Sequence, residues 1–239
     1  MAAESHSVLV EDVRDETPSI RTLRLKLPQD RDGAFSFMPG QSVTLAFTDD
    51  PATQRTYSIA SSPLDRGFIE ISVNRLGRFT ARLFDLRPGA ELLAQGPHGK
   101  WFYTDDVSHG VLISGGTGLT PFRSIVRYVL QKGLQNRVSV LHSSRVPSEI
   151  PYRAELEQWS KHPNLRVMLT VTRAEAMRAG ETWTGAKGRI DVEKIRSLVP
   201  DLRGSDYYLC GPGPLVTNLA QALTAEGVGA QRLHYETWR

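Results

Sequence analysis

Five short runs carry residue types that can do chemistry, and they follow one another along the chain. Arg55-Thr56-Tyr57-Ser58 joins a cation, an aromatic ring and two hydroxyls. On a strand, Arg55 and Tyr57 share one face, and Thr56 and Ser58 the other. An arginine forks onto a phosphate, a tyrosine lays its face on a flat ring, and a hydroxyl hydrogen-bonds a ring nitrogen. In Gly77-Arg78-Phe79-Thr80, a glycine opens a short helix whose free N–H groups suit a pyrophosphate; Thr80 adds a hydroxyl and Arg78 a charge. Ser114-Gly115-Gly116-Thr117-Gly118-Leu119-Thr120-Pro121-Phe122 joins a strand to a helix. Its glycines permit a tight turn and close backbone approach, and the helix N-terminus offers partial positive charge to ligand phosphates. Pro121 stands where the usual dinucleotide fingerprint has a third glycine, and proline in a first helical turn loses no hydrogen bond. Cys210-Gly211-Pro212-Gly213-Pro214 is a second strand-to-helix turn, and His234-Tyr235-Glu236-Thr237-Trp238 brings an acid and an aromatic to the C-terminus.

The elements that must position these runs follow two grammars. The first hundred residues hold short β-rich stretches at Ser7–Val13, Ile20–Leu27, Gln41–Phe47, Thr56–Ala60, Phe68–Asn74 and Glu91–Gln95. Pro28, Gly33, Pro39-Gly40, Pro51, Pro63, Gly67, Pro88-Gly89 and Gly96-Pro97 punctuate them, and Phe79–Leu86 is helical. Such spacing predicts a small antiparallel barrel or sandwich. From Val107 strands alternate with helices: strand Val111–Ser114, helix Thr120–Lys132, strand Val138–His142, helix Tyr152–Ser160 and strand Leu165–Val171. After a charged, glycine-containing loop (Arg173–Arg189) come helix Val192–Leu198, strand Tyr207–Cys210, helix Leu215–Glu226 and strand Arg232–Tyr235. That alternation predicts a parallel, doubly wound sheet. The boundary is expected within Lys100–Gly110.

Composition narrows the function. A 239-residue chain with 40% apolar and 23% charged residues reads as ordinary globular protein. No apolar run approaches the roughly 20 residues of a membrane-spanning helix. Met1–Glu11 lacks the basic flank and apolar stretch of a secretory signal. A net charge of +3 gives no argument for nucleic acid. Residues 1–104 hold 12 Lys and Arg against 13 Asp and Glu, whereas residues 105–239 hold 17 against 13, a basic surplus that suits a phosphate-rich ligand or an acidic partner. The single cysteine, Cys210, excludes an internal disulfide and any metal site built from several thiolates, which fits a reducing, cytoplasmic setting. His6, His98, His109, His142, His162 and His234 show no ligand spacing and read as structural or surface histidines. Gly180 and Gly185 have phosphate-loop spacing, but Ala186 occupies the lysine position; Leu112 likewise rules out a nucleophile elbow at Ser114.

In this order and spacing the runs resemble the ferredoxin–NADP reductase superfamily of flavoproteins, and the resemblance covers nearly the whole chain. It implies two domains: an antiparallel six-stranded β-barrel binding FAD over residues 1–104, and an α/β doubly wound parallel sheet binding NAD(P) over residues 105–239. Arg55, Thr56, Tyr57 and Ser58 would be the flavin motif, with Arg55 on phosphate, Tyr57 on the isoalloxazine and Ser58 near N5. Gly77, Arg78, Phe79 and Thr80, with main-chain groups around Val73 and Asn74, would hold the FAD pyrophosphate. Gly96-Pro97-His98-Gly99 matches the family as a turn ending the barrel.

On the nucleotide side, Gly116, Thr117, Gly118 and Pro121 would receive the dinucleotide, and Cys210, Gly211 and Pro212 would lie by the nicotinamide. Ser144 and Arg145 would read the adenosine ribose, with Arg145 (helped by Arg153) favouring NADPH over NADH. Glu236 would relay a proton or hold the rings, and Trp238, where the family often has Phe or Tyr, would cover the flavin or pack near adenine. The expected catalytic residues are Ser58, Cys210 and Glu236, with no metal. The implied reaction is hydride transfer from nicotinamide C4 to flavin N5, then electron release to a separate carrier such as ferredoxin, flavodoxin or an oxygenase component. A flavin reductase using flavin as a dissociable substrate, and a non-catalytic dinucleotide-binding redox subunit, remain as alternatives.

Overall fold

The computed structural model describes residues 5–27 and 35–238, with side chains in the last strand through Tyr235. The turn signals at Pro28 and Gly33 lie outside the described residues. The chain forms two compact units: residues 1–104 with 120–133, and residues 105–119 with 134–239.

The first unit is built on six antiparallel strands: β1 (His6–Thr17), β2 (Ile20–Lys26), β3 (Ser42–Phe47), β4 (Asp50–Ser58), β5 (Phe68–Asn74) and β6 (Glu91–His98). Their order is β4-β3-β6-β1-β2-β5, and an antiparallel bridge between Ile59 and Ile71 brings the two edges together. The period-2 pattern explains the core. In β5, Ile69, Ile71 and Val73 enter the apolar cluster with Leu23, Leu25, Val43, Leu45 and Leu92, while Glu70 and Ser72 point to the opposite face. That opposite face is also buried, and there Ser72 Oγ meets Thr22 Oγ1 at 2.7 Å. Helix α1 (Arg78–Asp85) buries Phe79, Leu83 and Phe84, spaced to share one helical face. Strand β6 continues through Gly96-Pro97 to His98, where a turn was expected; a register shift between Ser42 and Thr44 of β3 lets the pairing resume at Ser42 and His98.

Helix α2 (Thr120–Lys132) is grouped with this unit. Arg123, Ser124, Arg127 and Gln131 recur at helical spacing and hydrogen-bond Glu70, Ala60 O, Ser61 O and Asp65.

The second unit holds six parallel strands in the order β10-β9-β8-β7-β11-β12. These are β7 (His109–Gly115), β8 (Arg137–Ser144), β9 (Leu165–Val171), β10 (Ala186–Lys187), β11 (Asp206–Pro212) and β12 (Leu233–Trp238). Every residue of β7 is buried, as expected of a central strand in a parallel sheet. Helices α3 (Arg153–Trp159), α4 (Val192–Leu198) and α5 (Gly213–Ala225) supply the connections. Strand order reverses between β7 and β11, and ligands of such sheets bind at the carboxyl ends of the strands beside that switch point.

Candidate functional site

In the first unit a cavity of about 630 Å³ is lined by Asp50, Thr53, Arg55, Tyr57, Leu76, Gly77, Arg78, Phe79, Thr80 and Arg82. Strand alternation supplies Thr53, Arg55 and Tyr57 from one face of β4, and the loop into α1 supplies the rest. Thr56 faces away and pairs its hydroxyl with Thr44 Oγ1 at 2.8 Å. Ser58 closes the strand, buried, opposite Ser42. Tyr57 stacks toward Phe79 with ring centroids 6.3 Å apart and planes at 29°, and the Arg55 guanidinium lies 5.8 Å from the Phe79 centroid. Burial pushes the Tyr57 phenol up to about 12 against the pull of the Arg55 charge, so it stays a neutral, flat surface.

The start of α1 is shaped by one hydroxyl. Thr80 Oγ1 accepts from the N–H groups of Leu76 (2.9 Å) and Gly77 (3.1 Å) and donates to Gly77 O (3.1 Å). The Thr80 hydroxyl thus organises the loop from within, which leaves the next helical N–H groups, without partners inside the helix, to an anion. A Cβ on Gly77 would meet nothing within 4 Å, so the space above the turn is open. Val73 is buried in β5, opposite Arg21, and Asn74 follows it opposite Ile20. The sequence reading missed Leu76, which is 82% exposed, and Arg82, which pairs with Asp49 at 2.7 Å and covers the Phe47 ring at 3.8 Å. Arg82 lies one helical turn beyond Arg78, a spacing that was available to find it. Guanidiniums, an open helix N-terminus and a neutral aromatic face together suit a flavin nucleotide.

The same unit holds a charge network that no local motif signals. Glu70 Oε1 accepts from Arg24 Nε (3.1 Å) and Nη2 (3.0 Å), and Oε2 from Arg123 Nη1 (2.6 Å). Arg123 also donates to Ala60 O at 3.2 Å, which pins the segment leaving Ser58. Glu70 and Arg123 are 1% and 2% exposed. Burial works against the Glu70 carboxylate, but the Arg123 charge and the arginine hydrogen bonds outweigh it and hold the carboxyl below its ordinary range.

In the second unit two strand-to-helix turns meet backbone to backbone. A Cβ on Gly118 would sit 2.2 Å from Cys210 O, and one on Gly211, whose φ is +145°, would sit 3.0 Å from Gly115 N. Gly116 has φ of +58° and open space around it, so it serves conformation. Gly116, Thr117 and Gly118 form a 3-10 turn ahead of Thr120 and Pro121, which open α2. Thr120 Oγ1 is buried with no hydrogen-bond partner, an orphan that a polar ligand at this turn would satisfy and that the sequence reading missed. Cys210 is 4% exposed and pairs in register with Ser114 on one side and Glu236 on the other; Pro212 pairs with Trp238. The side chains of Glu236 and Trp238 lie outside the described residues.

At the end of β8, Ser144 is a support: its hydroxyl donates to Glu149 O at 3.1 Å and contacts His142 Nε2 at 3.0 Å. With its one proton spent on Glu149 O, Ser144 Oγ could meet a ribose only as an acceptor. Arg145 is exposed, and its carbonyl accepts from Arg173 N at 2.9 Å, which brings a second exposed arginine alongside. Arg153 is engaged with Glu157 at 3.1 Å and lies 5.9 Å from the Trp183 ring. Arg173 was hidden in the sequence because only the β8–β9 pairing makes it a neighbour of Arg145.

Two family models divide the chain. The oxidoreductase FAD-binding domain matches residues 7–103 and the oxidoreductase NAD-binding domain residues 112–221. The two models thus place a flavin-binding domain before a pyridine-nucleotide-binding domain along the chain. The glycine betaine monooxygenase reductase subunit of Chromohalobacter salexigens is 33% identical over 98% of this chain. This chain spans 64% of that relative's length. Ferredoxin–NADP reductase B of Sorangium cellulosum is 29% identical, with 99% of this chain and 98% of that protein aligned. The solved ferredoxin reductase in carbazole 1,9a-dioxygenase superposes with a TM-score of 0.83 at 25% identity, covering 100% of this chain and 70% of its own. The chain thus carries an FAD-binding and an NAD-binding oxidoreductase domain and is similar to ferredoxin–NADP reductases, and the two models support FAD and a pyridine nucleotide as cofactors. Among the described residues no helix is long and apolar enough to cross a membrane.

Proposed function

We propose that this chain is an FAD-dependent NAD(P)H reductase that delivers electrons to a separate protein acceptor. The observation that carries the reading is the cavity where Arg55 and Tyr57 of β4 meet Arg78 and Phe79 at the start of α1. Arg55, Arg78 and Arg82 bind phosphate, the α1 N-terminus receives pyrophosphate, and the neutral Tyr57 ring supports a flat heterocycle. Bound FAD supplies a hydride acceptor at N5 and an outlet for the electrons. Ser58 offers its hydroxyl to the ring system, with Val73 and Asn74 contributing main-chain groups. Gly116, Thr117 and Gly118, with Pro121 next along the chain, cradle the nicotinamide dinucleotide, Cys210 and the turn through Gly211 and Pro212 pack by its reactive ring, and Glu236 holds or moves a proton there. Trp238 covers a ring face.

Arg145 and Arg173 form an exposed cationic pair for a 2′-phosphate, which favours NADPH over NADH. The acceptor is a ferredoxin, flavodoxin or oxygenase component, the class to which relatives named as oxygenase reductase subunits would deliver electrons. The domain assignment is 1–104 for flavin and 105–239 for nucleotide, with the α2 segment docked on the former. Anaerobic addition of NADPH or NADH to the purified protein, followed by flavin absorbance, tests the reading. Bleaching of bound flavin supports it; a protein that retains flavin yet bleaches with neither nucleotide overturns it. Arg145→Ala should weaken NADPH roughly tenfold, about 1.4 kcal/mol, and leave NADH nearly unchanged.

A further inference from the structure

We propose that His142 is a positioning residue for the pyridine nucleotide: a neutral imidazole that fixes the spacing between the glycine turn after β7 and the arginine loop after β8. His142 is 0% exposed, and so is Ser114; both ring nitrogens are used. Ser114 Oγ lies 2.8 Å from Nδ1 and Ser144 Oγ lies 3.0 Å from Nε2. The direction of this chain follows from its far end. Glu149 O can only accept, so Ser144 spends its one proton there, at 3.1 Å. Ser144 Oγ must then accept from Nε2–H, which leaves Nδ1 bare to accept from the Ser114 hydroxyl. For a neutral ring the network thus assigns the Nε2–H tautomer. Burial agrees, pushing the imidazole down to about 3.

What the chain connects gives it a role. Ser114 immediately precedes Gly115, where β7 ends and the glycine turn begins, and pairs in register with Cys210. Ser144 immediately precedes Arg145, and its carbonyl also accepts from Thr172 N (3.0 Å) and Thr172 Oγ1 (3.3 Å), next to Arg173. One polar chain therefore ties the turn that takes a pyrophosphate to the loop that presents the arginines. A dinucleotide bridging the two needs that spacing preset, and a preset spacing lowers the ordering cost of binding. The inference rests on the nucleotide reading above.

The fold also contains its own control. His109, the first residue of β7, is built alike: Nε2 meets Ser139 Oγ at 2.9 Å, Nδ1 meets Ser205 Oγ at 3.0 Å, and Ser205 donates to Asp201 O at 2.7 Å. The same logic assigns His109 the opposite tautomer, Nδ1–H. His109 lies at the amino end of the strand, away from the carboxyl edge where ligands of such sheets bind. A merely structural imidazole would behave the same at either end.

The test compares His142→Leu with His109→Leu in the full-length holoprotein. His142→Leu should raise KM for NADPH roughly tenfold with kcat within about twofold, the signature of lost uniform binding. Ser114→Ala, a smaller change, should move KM the same way, and His142→Gln, which keeps one acceptor and one donor, should recover most of the loss. His109→Leu should lower Tm and leave KM unchanged. Nitrogen-15 spectra of the wild type at pH 7 should show two neutral histidines of opposite tautomer. Equal KM effects from the two Leu variants, or a His142 ring that is Nδ1–H or doubly protonated, would overturn the inference. Arg145→Ala separates this from the underlying reading. If it changes neither nucleotide while His142→Leu still raises KM, the 2′-phosphate assignment fails and the positioning role stands. If it weakens NADPH equally in wild type and His142→Leu, the two sites are uncoupled and the positioning role fails.

Discussion

The two units solve similar problems with opposite means. The first gathers charge: the glycine before α1 has nothing near it, guanidiniums line the cavity, and elsewhere a buried carboxylate is held between two arginines. The second uses neutral groups at contact distance: its turns touch backbone to backbone, and its buried polar links are imidazole to hydroxyl. The difference suits the ligand halves. On the reading proposed above, the flavin nucleotide would sit in a cationic nest, whereas the turns that would receive the pyridine nucleotide are preset by neutral contacts, with charge only at the exposed arginines beyond them.

The largest effect should come from breaking the charged network. Arg123→Leu leaves Glu70 buried with only the half-exposed Arg24 as partner, and the loss should reach about 3–5 kcal/mol. Replacing both partners, Glu70→Met with Arg123→Leu, should recover part of it. Urea unfolding of the pair of variants measures this, and a double variant no better than the single one would mean that shape, and not charge, decides the site. Gly118→Ala comes next, at roughly 3 kcal/mol, because the obstacle at 2.2 Å is the Cys210 carbonyl and backbone cannot rotate away. Its Tm should fall well below that of a Gly116→Asn variant, which meets only an unfavourable φ that asparagine tolerates.

Acid separates the units by a smaller amount and in a predictable order. Folded His142 stays neutral down to about 3, while the unfolded ring takes up a proton near roughly 6.5. Between those values the unfolded chain holds more protons, so stability is full above about pH 7 and falls by up to roughly 1.4 kcal/mol per pH unit below 6.5. His109, pushed down to about 4 by burial and the nearby Arg137 and Arg166 charges against the pull of Asp201, adds in the same direction. Glu70 adds in the same direction but in a lower window: its contribution is present above the ordinary glutamate range and is lost only as pH falls through its depressed folded value. Amide exchange between pH 7 and 5, after correction for intrinsic rates, should therefore show β8 losing protection before β5 does. Simultaneous loss would mean that the units unfold as one.

Much of this was legible where periodicity is long and punctuated. Helices over Thr120–Lys132 and Val192–Leu198 and the strand Leu165–Val171 have the bounds their patterns announce, since Pro121 and Gly133 mark ends that few residues tolerate elsewhere. The motif order along the chain announced a flavin unit followed by a nucleotide unit. Strand β4 was half missed because Asp50, Thr53 and Arg55 are polar; they wall a cavity, which leaves no apolar pattern to read. Strand β10 is two residues long and leaves no pattern. The Glu70–Arg123 pair joins positions 53 residues apart, and His142 looked like a structural histidine, because each gains meaning only from strands brought together by the fold.

The smallest expected change is the sharpest test of the contrast. Gly77 has φ of 177°, extended backbone that any residue adopts, and its Cβ would stand in open space. Gly77→Ala should therefore cost the fold less than about 1 kcal/mol, the ordinary difference at a helix N-cap. The added methyl would instead take up open space in the cavity that Gly77 and Arg78 line, where the proposed pyrophosphate would approach the helix N-terminus. Flavin retention on a desalting column should fall while the unfolding midpoint of the flavin-free protein barely moves. If flavin is held as tightly as in the wild type, the α1 N-terminus is not where the pyrophosphate sits, and Arg55 and Arg82 must carry the phosphates alone.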